Sequence, residues 1–177
     1  EVGKSIRLLE IFSLPGIKNL NDFLNKKKNI NLENLSLITK NNNASNSQYC
    51  PIVVGVNFLD QVRVFENLDE INFTNMSYPI LFLPFVSRAS EVIGRRILLK
   101  IDNYKFLMNF NNNINSNFFK KEIIKTAKNV SINILDNQDS FNEKEWKELY
   151  KLSEETFVEE NESLKNTGAG AGLTDND

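Results

Sequence analysis

Two short apolar runs, Ile97 to Ile101 and Tyr104 to Phe110, are separated by Asp102-Asn103 alone. Both turn residues tolerate the positive φ of a two-residue hairpin loop, and a connection that short joins only antiparallel neighbours. The chain therefore contains an antiparallel β unit. Val130 to Leu135 (VSINIL) alternates as a half-buried strand does, and Pro51 to Leu59 (PIVVGVNFL) has the β-branched content of a buried strand, with Gly55 marking a bulge. Tyr78 to Val86 (YPILFLPFV) is strongly apolar, but Pro79 and Pro84 bar it from a regular central strand.

Helical spacing dominates both ends. Val2, Ile6 and Leu9 predict a helix that Pro15-Gly16 ends, and Ile17, Leu20 and Leu24 predict a second, with Lys26 to Lys28 near its C-terminus. Phe119, Ile123 and Ala127 predict a third helix after an Asn-rich loop at Asn111 to Asn117. Ser140 and Glu143 read as a capping box, followed by the stripe Trp146, Leu149/Tyr150, Ser153 and Phe157 on a helix running to about Leu164. Trp146 is most simply a core residue. Lys40 to Ser47 (KNNNASNS) reads as a solvated loop. Terminal helices around hairpin-connected strands predict an α+β fold with a mostly antiparallel sheet: one domain over residues 1–165 and a glycine-rich acidic tail over residues 166–177.

With 177 residues and 41% apolar side chains, thirteen of them Phe, the chain can build one core. Histidine is absent. That excludes Ser-His-Asp and Cys-His catalysis and imidazole metal sites within this sequence, leaving oxygen donors that suit magnesium, calcium or manganese. The net charge of −2 gives no footprint for nucleic acid, and no apolar run approaches the ~20 residues needed to cross a bilayer. The single Cys50 forms no internal disulfide and fits a reducing, cytoplasmic compartment. Lacking a histidine base, it reads as a buried structural thiol. Glu1 is not an initiator Met, so a preceding segment is expected.

Two segments stand out against a background of 28 Asn and 16 Lys. The last ten residues, GAGAGLTDND, hold three of seven Gly and two of five Ala. Gly168, Gly170 and Gly172 let the backbone approach another surface, and Thr174, Asp175, Asn176 and Asp177 cluster hard oxygen donors. Asp175 and Asp177 are the candidate metal ligands. The bland alternative is a frayed terminus. No strand precedes and no helix follows these glycines, so they are not a dinucleotide fingerprint. The second segment, Ser87 to Arg96 (SRASEVIGRR), holds three of the five Arg. Arg88, Arg95 and Arg96 offer planar forks for a carboxylate or phosphate, with Ser87 and Ser90 as added donors in an anion site between two strands. The alternative is an exposed turn whose arginines pair with acids such as Glu91. The acidic residues Glu154, Glu155, Glu159, Glu160 and Glu162 read as a solvated helix face and end.

Both ends resemble an uncharacterised bacterial family common in proteobacteria, domain of unknown function 3726. EVGKSIRLLE followed by Leu14-Pro15-Gly16 resembles that family's opening helix and Leu-Pro-Gly turn, Cys50-Pro51 its Cys-Pro, and Trp146 to Asp177 its glycine-rich acidic C-terminus. The family's glycine-rich Trp-Gly segment just before Glu1 is missing, which implies truncation. Glu159 stands after Phe157-Val158 where the family often has Pro. The resemblance implies no activity. The sequence thus names no catalytic residue and no cofactor. The leading expectation is a small-metabolite enzyme or accessory subunit in which Asp175 and Asp177 help form an oxygen-lined site facing the arginine segment. The rival is a non-catalytic interaction module whose tail docks into a protein partner, and a third reading is a purely structural domain.

Overall fold

The computed structural model describes residues 2–156 except 66, 67, 69, 112, 120, 121 and 137–139. Two compact units divide the chain, residues 1–137 and residues 138–177.

The first unit is α+β. Its helices are α1 (Val2–Ile11), α2 (Gly16–Lys26), α3 (Pro51–Gln61) and α4 (Leu83–Ile93). Its strands are β1 (Leu32–Glu33), β2 (Asn41–Asn42), β3 (Gln48–Tyr49), β4 (Glu70–Ser77), β5 (Arg96–Ile101), β6 (Tyr104–Met108), β7 (Ile114–Ser116) and β8 (Thr126–Leu135). They form one sheet in the order β1-β3-β4-β8-β5-β6-β7, with β2 also on β4. The long pairings β4–β8, β8–β5 and β5–β6 are antiparallel, as is β6–β7. The short pairings β1–β3, β2–β4 and β3–β4 are parallel. The sheet is therefore mixed and mostly antiparallel.

The hairpin at Asp102-Asn103 forms as the sequence requires, with Ile101 opposite Tyr104 and Asp102 at φ 48°. Asp102 then reaches across to β8: its carboxylate accepts the backbone N–H groups of Lys128 and Asn129, and its own N–H donates to the Asn129 carbonyl. The turn thus locks the register of the strand beside it. Along β5, Ile97, Leu99 and Ile101 are buried while Leu98 and Lys100 are half-buried. Ile71, Phe73 and Met76 of β4, Phe106 and Met108 of β6, and Val130, Ile132 and Ile134 of β8 join them in the core. Helix α4 packs against β5 and β6, α3 packs on α4, and α1 packs on both α4 and α2. A chain of rings ties these layers together. Phe82 lies 5.7 Å from Phe73 of the sheet and 5.8 Å from Phe58 of α3, both edge-on, the arrangement aromatic quadrupoles favour.

Several local expectations give way to tertiary context. Pro51 to Leu59 is helix, not strand. Cys50 is extended at the N-cap, Pro51 sits at the first turn where its missing N–H costs nothing, and Pro51, Val54, Gly55 and Phe58 recur at helical spacing on the buried face. Gly55 is therefore no bulge. A Cβ there would come within 2.3 Å of the Phe85 ring, so the glycine lets α3 and α4 approach. Helix α2 is real, but it buries Gly16, Asn19 and Phe23, while Ile17 and Leu24 are exposed. Among the described residues of 119–127 there is no helix: Phe119 is exposed, and Ala127 lies in β8, which claims the segment from Thr126 onward. Asn41–Asn42 is a short strand within the predicted loop, and the Asn42 amide, almost fully buried, donates to the carbonyls of Thr39 and Asn72.

In the second unit, α5 (Glu143–Glu154) is capped by Asn142, not Ser140. The Asn142 side chain accepts from the Glu145 N–H and Glu145 returns a carboxylate to the Asn142 N–H, so the capping box exists two residues later than expected. The helix ends at Glu154, and the expected continuation through Phe157 to Leu164 lies outside the described residues. Trp146 is not core. It is half-exposed and stacks on Phe141 at 5.6 Å.

Candidate functional site

Helix α4 delivers the arginine segment. Ile93 ends the helix because Gly94 takes the left-handed conformation at φ 64°, and the N–H of Arg95 then reaches back to the Ser90 carbonyl. Ser90 closes the same turn from the side chain, its hydroxyl donating to the Arg95 carbonyl. The segment is thus the end of a helix, a Schellman turn and the first residue of β5, rather than a loop between two strands. The turn sets Arg95 and Arg96 at the start of β5, opposite the end of β8, with Arg96 paired to Leu135.

Both guanidinium groups converge on that strand end. Arg95 Nη2 forms an ion pair with the Asp136 carboxylate, and its Nε donates to the Leu135 carbonyl at 3.4 Å. Arg96 Nη2 donates to the Asp136 carbonyl at 3.2 Å. The Arg95 side chain is 25% exposed and that of Asp136 is 75% exposed, so the cation is largely embedded and the anion largely in water. Arg88 lies earlier on α4 and is half-buried. Ser87 is fully buried, and among the described residues nothing accepts or donates a hydrogen bond at its hydroxyl. Of the residues expected to bind an anion, Arg95 and Arg96 share a target. Gly168, Gly170, Gly172, Thr174, Asp175, Asn176 and Asp177 lie outside the described residues. Among the described residues no group of three or more Cys, Asp or Glu side chains is placed to hold a metal ion. Cys50 is buried at the start of α3.

A second constellation escaped the sequence reading. Tyr78 follows β4 and precedes Pro79, yet holds φ 40° and ψ 56°, a left-handed conformation costly for an aromatic residue. Its ring is fully buried, its N–H donates to the Lys125 carbonyl, and its hydroxyl donates to Asp22 of α2 at 2.8 Å. Asp22 also pairs with Lys26 one turn on at 2.6 Å. The hydrogen bond from Lys26, and then that from Tyr78, hold the Asp22 carboxyl below its ordinary range. Burial, reinforced by the bond to Asp22, pushes the Tyr78 phenol up to about 12. A phenol held protonated this firmly is a poor base. It acts as a strut from the sheet to α2, and the only advance signal was a tyrosine before proline in an apolar run.

The geometry defines an α+β protein with an arginine-bearing corner where β5 begins and β8 ends. A family model described as a protein of unknown function, DUF3726, matches residues 1–50, which comprise α1, α2 and β1 to β3 and stop at Cys50. The likeness read at Trp146 to Asp177 lies beyond the matched residues. No curated protein and no solved structure matches the chain. Within the matched segment the Leu-Pro-Gly turn has a packing reason. A Cβ at Gly16 would meet the Leu9 Cβ at 2.9 Å and the Ile6 carbonyl at 3.2 Å, so glycine permits the close α1–α2 crossing. Glu10 then accepts the Ile17 N–H at the start of α2.

Proposed function

We propose that this protein binds a small anionic metabolite, as an enzyme or as an accessory subunit of one, with Arg95 and Arg96 as the anion receptor. The observation that carries this reading is the convergence of both guanidinium groups on one carboxylate-bearing residue, Asp136. A partly embedded arginine fixed by backbone contacts loses little freedom when it engages a carboxylate or phosphate. In this reading residues 168–177 contribute to anion binding. Titration calorimetry with citrate and with inorganic phosphate should detect binding in the intact chain. Removing residues 168–177 should weaken it while leaving the circular dichroism spectrum and melting temperature nearly unchanged. Equal binding by the truncated chain would overturn the role given to the tail.

A second reading, a protein-interaction module, is favoured by α5. Trp146, Leu149, Tyr150 and Leu152 are all more than half exposed, a concentration of apolar surface that suits a partner. This reading expects tail amides that exchange rapidly in the isolated chain and become protected only in a complex. Protection of those amides in the isolated monomer would contradict it.

A further inference from the structure

We infer that the β7 edge of the sheet pairs with the same edge of a second copy of this chain, extending the sheet through a two-fold axis at Asn115. The inference is independent of the arginine corner.

Strand β7 closes the sheet order, and among the described residues β6 is its one strand neighbour. The Asn109 N–H donates to the Asn113 carbonyl, and the Asn117 N–H donates to the Lys105 carbonyl. Antiparallel ladders bond at every second residue, so Asn115, opposite Leu107, turns its backbone groups to β6. Ile114 and Ser116 lie between these bonded positions and turn their N–H and C=O groups outward. An open edge of this kind is usually guarded by charge or proline. Neither occurs from Leu107 to Phe119. Beyond the two ends of the strand, Phe110 and Phe119 are 46% and 90% exposed.

These features select a second copy as the occupant. Like charges directly opposite one another oppose self-pairing, and a neutral edge brings none. Antiparallel pairing about Asn115 sets Ile114 of one copy opposite Ser116 of the other, and both present outward groups. That pair exchanges two N–H···O bonds, and the two-fold axis generates the second such pair from the first. Asn115 then stands beside its own counterpart at the close, non-hydrogen-bonded spacing, its exposed side chain on the face away from the buried Ile114. The Phe110 end of each copy meets the Phe119 end of the other. The strand is three residues long, so the contact is small and the dimer forms only as concentration rises.

The experiment is sedimentation equilibrium of the full chain from micromolar to millimolar concentration, with circular dichroism to check folding. The wild type should pass from monomer to dimer. Asn115→Lys and Asn115→Asp each place like charges face to face at the axis, and each should weaken association about twofold to fivefold. An equimolar mixture of the two variants should regain wild-type association, because Lys then faces Asp. In the wild type, exchange of the Ile114 and Ser116 amides should slow with concentration, while the Asn115 amide, already bonded to Leu107, should not respond. A monomer at every concentration overturns the inference. So does a dimer that both charge variants leave unchanged, which puts the contact elsewhere, α5 included. A mass that grows past the dimer shows open strand stacking and overturns the closed pair as well. Should either variant fail to fold, the wild-type exchange decides: Ile114 and Ser116 amides unaltered at dimeric concentrations overturn the pairing.

Discussion

Tyr78 concentrates strain, burial and charge in one side chain. Its left-handed backbone is retained because the buried ring packs edge-on against Phe23 at 5.5 Å and its hydroxyl is held by Asp22. Tyr78→Phe keeps the ring and removes a hydrogen bond to a charged acceptor, and should destabilise the protein by about 1–3 kcal/mol in urea unfolding. The pH dependence follows from the two shifts. The Tyr78 value is raised, so its contribution is complete below the unfolded phenol value near 10 and disappears between about 10 and 12. The Asp22 value is lowered, so its contribution is present above the ordinary carboxylate value near 4 and is lost as pH falls below it. Stability measured against pH should lose the alkaline step in Tyr78→Phe and shrink the acid step in Asp22→Asn. Glycines provide a second residue-scale contrast. Gly55→Ala drives a methyl into the buried Phe85 ring and should cost about 1–3 kcal/mol despite alanine's better helix propensity. Gly3→Ala, with nothing within 4 Å of the added carbon, should be stabilising by up to about 1 kcal/mol.

Among the elements, α3 and α5 show how far a local pattern can be trusted. Pro51 at the helix start and the spacing Pro51, Val54, Gly55, Phe58 were visible in the sequence, yet the β-branched run Ile52-Val53-Val54 suggested a strand. Intrinsic preference was overridden by a buried helical face. For α5 the helix was legible but its first residue was not, because Ser140/Glu143 and Asn142/Glu145 both satisfy the spacing and only the backbone geometry distinguishes them. Asn142→Ala should therefore lower helix stability by about 1 kcal/mol, read as reduced helicity and faster amide exchange in the first turn of α5, whereas Ser140→Ala should do neither. The end of α4 was equally hidden. Gly94 in SRASEVIGRR marks a helix stop once the helix is recognised, but Pro79 and Pro84 had drawn attention to what the segment could not be.

At the scale of the whole molecule, the candidate site was legible in part. Arginine enrichment in an Asn/Lys-rich chain pointed to Arg95 and Arg96, but their partner Asp136 is about 40 residues away and carries no local mark. The Tyr78–Asp22 strut spans 56 residues and was invisible for the same reason. The sequence by itself determined what depends on neighbours along the chain. It showed the Asp102-Asn103 hairpin, helices α1 and α2, the alternating half of β8, a capped last helix, and a repertoire of chemistry without imidazole. Only the tertiary structure decided that β8 lies between β4 and β5, that β2 and β3 pair in parallel with β4 and β1 with β3, that a Val-rich run becomes α3, and that Arg95 meets the Asp136 carboxylate while Arg96 meets its backbone carbonyl. Turns and caps are set by torsional preferences within a few residues, whereas strand order and ion pairing depend on which distant surfaces bury the most apolar area together.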